Sequence, residues 1–130
     1  MNEVLTEAQE QKFLFQWAGL ARQKFPELEL LFHVPNGGRR EEREAASLKK
    51  QGVKAGVPDL VLPVARGEYF GLYIELKVGK NKPKEHQLKW IDQLKEQGYF
   101  VMVCYGWLEA REVITNYLEK SQTIPIKSPN

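Results

Sequence analysis

Two apolar runs on either side of a tight turn constrain this chain more than any other feature. Pro58-Asp59-Leu60-Val61-Leu62-Pro63-Val64 and Leu72–Val78 both read as strands, with Arg66-Gly67-Glu68 as the turn between them. A hairpin centred near Gly67 sets position 59 opposite roughly position 75, so the carboxylates of Asp59 and Glu75 can converge. Strand alternation puts Glu75 and Lys77 on one face and Leu76 in the opposite layer. An acid and a lysine two apart in an apolar strand are expensive to bury without a purpose.

The remaining elements form around this hairpin. Thr6 and Gln9 have capping-box spacing and predict a helix from Glu7. Phe13, Leu14, Trp17, Leu20 and Ala21 continue it at helical spacing, and Pro26 marks its stop. Leu30–Val34 reads as a short strand ended by the turn Pro35-Asn36-Gly37-Gly38. Arg39 to Gln51 reads as a charged helix stopped by Gly52, and its thin apolar content (Ala45, Ala46, Leu48) suits a surface or an interface. After a basic loop, Lys80–Lys84, a helix runs from Glu85 to Gly98 with Leu88, Trp90, Ile91 and Leu94 marking it. Tyr99–Tyr105 is a third strong strand, and Trp107 to Lys120 a last helix with Leu108, Val113, Ile114, Tyr117 and Leu118 inward.

The order α-β-α-β-β-α-β-α predicts an α/β fold, a mixed sheet with helices on both faces. The 130 residues suit one domain, residues 1–120, with 121–130 expected to be a flexible tail. The single cysteine, Cys104, excludes an intramolecular disulfide and a cysteine zinc cluster; it lies in the apolar run Phe100–Tyr105, as a small buried side chain would. No apolar stretch approaches the ~20 residues of a membrane helix. The acidic, polar start is wrong for a signal peptide, so an intracellular, cytoplasmic protein is expected.

Two convergent carboxylates make a hard oxygen site suited to Mg²⁺ or Mn²⁺. Such an ion polarises a phosphodiester, and a neighbouring lysine can orient or deprotonate water or offset charge on the phosphate. A lone Glu-x-Lys on an edge strand is a common surface pair. Pro58-Asp59 at hairpin distance is what turns the balance toward chemistry.

With these residues in place, Pro58-Asp59…Glu75-Leu76-Lys77 resembles the PD-(D/E)xK nuclease signature with its restriction-endonuclease-like core. More closely, the chain is similar to the virus-type replication–repair nuclease (VRR-NUC) family from about Glu7 to Leu118. The shared motifs are Val34-Pro35-Asn36-Gly37-Gly38, the segment from Gly52 to Leu60, Ile74-Glu75-Leu76-Lys77 and Glu85-His86-Gln87-Leu88-Lys89-Trp90. The resemblance implies Asp59, Glu75 and the backbone carbonyl of Leu76 as metal ligands, Lys77 as catalytic lysine, and Gln87 beside the site. It also implies a glutamate from the first helix. Glu7 fits the family spacing, while Glu10 sits over the centre of the apolar stripe; Glu7 is preferred.

Charge distribution completes the expectation. A net charge of +2 says little alone, but Arg39, Arg40, Arg43, Lys49, Lys50 and Lys54 precede the Pro-Asp strand. Lys80, Lys82 and Lys84 follow the catalytic strand, so basic groups flank the site as a phosphate backbone requires. Asn36, Gly37 and Gly38 can bring backbone amides to phosphate. His33 and His86 are expected to be structural. Stand-alone members of the family resemble Holliday-junction resolvases and act as homodimers. The expected function is therefore a metal-dependent endonuclease for branched DNA, from a phage or prophage. Its rivals are a less specific phage nickase or packaging nuclease, and a non-catalytic DNA-binding module.

Overall fold

The computed structural model describes residues 4–35 and 42–122. Thr6 caps the first helix, α1 (Glu7–Ala21): its hydroxyl accepts from Gln9 N at 3.2 Å, and Gln9 Oε1 accepts from Thr6 N at 2.9 Å. The helix ends before Pro26. That proline instead opens a 3-10 turn, Pro26–Leu30, because its fixed φ and missing N–H suit a first helical turn. The turn absorbs Leu30, so the predicted strand 30–34 contracts to β1 (Phe32–His33).

The charged helix is α2 (Glu42–Lys50), with no buried residue. The hairpin forms from β2 (Leu60–Leu62) and β3 (Leu72–Lys77). β2 is shorter than the apolar run because Pro58 and Pro63 bracket it and neither can donate to a ladder. Then follow α3 (Glu85–Glu96), β4 (Phe100–Tyr105) and α4 (Trp107–Leu118).

The sheet order is β1-β2-β3-β4, antiparallel through β3 and parallel between β3 and β4, which α3 connects. Leu60 faces Ile74 and Leu62 faces Leu72, the register of a hairpin centred on Gly67. One sheet face carries Leu60, Leu62, Leu72, Ile74 and Leu76; it closes on Leu14 and Ala18 of α1 and on Ala110, Ile114 and Tyr117 of α4. On the opposite face α3 packs over β4, with Ile91 buried. Cys104 is fully buried, which pushes its thiol up to about 12.

Leu108 was expected inward and is instead 54% exposed. The buried stripe of α4 is Ala110, Ile114, Tyr117 and Leu118, and a position two before Ala110 lies on the far side of such a stripe. Leu20 of α1 is exposed for the same reason, two positions after buried Ala18. No helix among the described residues is long and apolar enough to cross a membrane.

Tyr117 ties α4 to the hairpin. Its buried hydroxyl donates to the Val64 carbonyl at 2.6 Å. Tyr117→Phe leaves that carbonyl without its donor, and a loss of about 1–2 kcal/mol in urea unfolding is expected.

Candidate active site

Asp59 sits just before β2, held from both sides. Its carbonyl accepts from Val34 N at 2.7 Å and from His33 Nδ1 at 3.1 Å. A carbonyl can only accept, so Nδ1 of His33 is the donor in that contact. Across the hairpin, Asp59 Oδ2 accepts from Leu76 N at 2.9 Å. The carboxylate thus replaces a backbone partner where the ladder between β2 and β3 stops. Sequence reasoning assigned a role to the carbonyl of Leu76 and missed its N–H.

Glu75 is 1% exposed. Its Oε1 accepts from Gln87 Nε2 at 3.2 Å and lies 3.7 Å from Lys77 Nζ. Its buried Oε2 has no hydrogen-bond donor. Burial raises the carboxyl most, followed by the charge of Asp59 and a hydrogen bond to Asp59 that only protonated Glu75 can donate. Lys77 opposes them and Glu7 adds a little, leaving Glu75 at about 8. Lys77 is itself 8% exposed, and its ammonium lies beside a carboxyl that burial and Asp59 hold toward its protonated form.

The two glutamates of α1 part ways. Glu7 lies in the field of the site: its carboxyl is raised by partial burial, then by the charge of Asp59, with Lys77 pulling the other way. Glu10 Oε2 instead accepts from Trp107 N at 2.6 Å, capping the start of α4. Its place over the apolar stripe aims it at α4, so the alternative that set Glu10 beside the carboxylates does not match this geometry.

Gln87 has its orientation fixed. Its Oε1 accepts from Lys84 N at 2.7 Å, which turns the amide nitrogen toward Glu75. The loop bearing Asp59 docks on the same helix turn through Gly56, where φ is +93°. A Cβ there would lie 2.9 Å from the His86 carbonyl and ring and 3.0 Å from Trp90. Gly56 stood within a recognised motif, but only the folded contact reveals what it does. His86 is the surface Gly56 rests against.

Lys54, Lys80, Lys82 and Lys84 are all exposed. Asn36, Gly37, Gly38, Arg39 and Arg40 lie outside the described residues. Among the described residues no three His, Cys, Asp or Glu side chains form a group that could hold a metal ion. The close oxygen pair is Asp59 with Glu75. Their chemistry fits a hard divalent cation, and the donorless, buried Oε2 of Glu75 is the atom such an ion would satisfy.

No curated protein matches the chain. A solved structure described as a VRR_NUC domain protein is 35% identical, with a TM-score of 0.79 over 93% of this chain and 94% of that one. Residues 3–107 match the VRR-NUC domain, a nuclease-type domain, and the chain belongs to the VRR-NUC family.

Proposed function

We propose that the chain is a divalent-metal-dependent DNA endonuclease that cuts phosphodiester bonds in branched DNA. One observation carries the reading: a buried carboxylate, Glu75, lies beside Asp59 with one oxygen lacking a donor and a lysine 3.7 Å from the other. Buried polar atoms are normally paired, and this oxygen finds a partner only by holding a proton toward Asp59 or by meeting a cation.

In this reading Asp59, Glu75 and the carbonyl of Leu76 hold Mg²⁺ or Mn²⁺, with Glu7 completing the set from α1. When bound, the ion supplies Lewis-acid polarisation of the scissile phosphate. Lys77 presents its ammonium to the negative charge that builds on the phosphate, or orients the attacking water. Gln87 steadies Glu75. Lys54, Lys80, Lys82 and Lys84, with Asn36 to Arg40, grip the DNA backbone. Two symmetric cuts need two sites related by a twofold axis, so the working form proposed is a homodimer.

The test is cleavage of four-way junctions, flaps and linear duplex with Mg²⁺ or Mn²⁺, beside Lys77→Ala. Metal-dependent cutting, faster on branched DNA and lost in the variant, is expected. No cutting of any substrate sinks the nuclease reading and leaves a DNA-binding module. Equal cutting of linear duplex removes only the preference for branches and favours a general nuclease. Activity surviving in Lys77→Ala would mean the site is elsewhere.

A further inference from the structure

A cavity of about 480 Å³ opens beside the proposed site, in the size range of small-ligand pockets. Val78 and Gly79, which follow Lys77 directly, form part of its wall, together with Glu10, Tyr105, Trp107 and Leu108. Glu10 is three residues after Glu7 on α1, so one helix face borders both the carboxylates and the cavity. Gly106 N bonds the Lys77 carbonyl at 3.0 Å, fixing the far wall to the end of β3.

Its character is unlike that of a phosphate site. Among the described residues no cation lines it, and Glu10 is the only charged side chain that does. The leading amide of α4 is already taken by that carboxylate. An anion is therefore repelled, while a flat, uncharged ring bearing N–H groups is suited. Leu108 and Tyr105 are 54% and 41% exposed, and Tyr105 makes no ring contact among the described residues. Glu10 uses Oε2 on Trp107, which leaves Oε1 to accept from an amino group.

Resting on the nuclease reading, we propose that this cavity receives an unstacked nucleobase carrying an exocyclic amine, from a nucleotide next to the cut. The substrate then has an unpaired nucleotide at that position. A continuous duplex meets the protein without filling the cavity.

The test is binding in EDTA, which needs no cleavage. Flap DNA is prepared with 2-aminopurine, or with an abasic residue, at each position around the branch. Base stacking of this kind is worth about five- to a hundredfold in affinity. At one position wild-type protein should bind the 2-aminopurine DNA at least fivefold tighter than the abasic DNA and change its emission. Tyr105→Ser/Leu108→Ser should bind both equally, and Tyr105→Phe should retain discrimination; thermal melts check that each variant is folded. Equal binding by wild type at every position, or discrimination surviving in the double variant, overturns the proposal. Cleavage of the same DNA in Mg²⁺ judges the nuclease reading separately. Discrimination without cleavage rejects the activity and keeps the cavity.

Discussion

Glu75→Gln is expected to abolish metal-dependent cleavage and to make the metal-free protein more stable. The wild-type side chain is buried next to Asp59 with an oxygen that has no donor. Glutamine keeps the shape, retains an oxygen for Gln87 and sets an N–H group beside the Asp59 carboxylate. The proposed ligand charge disappears, and with it a contribution of several kcal/mol, so activity should fall about a thousandfold or more.

The stability gain has a defined pH dependence. Below about 4.5 the carboxyl is protonated in folded and unfolded chains alike and contributes nothing. Between about 4.5 and about 8 the unfolded chain ionises while the folded one holds its proton, so wild-type stability falls as pH rises. Above that window the loss is complete. The variant lacks this slope, so thermal melts in chelator should separate most at alkaline pH, by about 3–8 °C. Coincident melts from pH 5 to 9 would show that Glu75 carries no burial penalty.

The second large effect is expected at Gly56. Gly56→Ala combines a φ of +93°, which side chains rarely adopt, with a Cβ 2.9 Å from the His86 carbonyl. Backbone strain and overpacking together cost about 3 kcal/mol, read as a loss of roughly 10 °C in melting. The damage is directional. The loop must lift from α3, so Asp59 moves away from the turn that holds Gln87. In the proposed enzyme, cleavage at a temperature where the variant is still folded should therefore fall as well. A variant with wild-type melting and activity would mean that the contact is loose.

The hairpin and its convergent acids were legible because alternation and a centred turn are local properties of the sequence. Helix α1 started where Thr6 and Gln9 indicated, since a capping box is written in four residues. What distance along the chain conceals was harder to read. Glu7 and Glu10 differ only in what approaches them, and the amide of Trp107 comes from 97 residues away. Leu108 looked like core because its neighbours are apolar, yet a stripe set by Ala110 and Ile114 turned it outward. The burial of Lys77 and the donorless oxygen of Glu75 are likewise tertiary facts, since strand periodicity fixes a face but not what covers it.

The bond from Leu76 N to Asp59 Oδ2 couples fold and site more tightly than stability alone requires. A hairpin slipped by one residue would turn Glu75 and Lys77 into the leucine layer and leave Asp59 facing nothing. Under the proposed chemistry, a chain still finding its register, or caught in the wrong one, would be silent. In the proposed enzyme that is proofreading by assembly: a nascent or damaged copy is harmless until its strands have aligned.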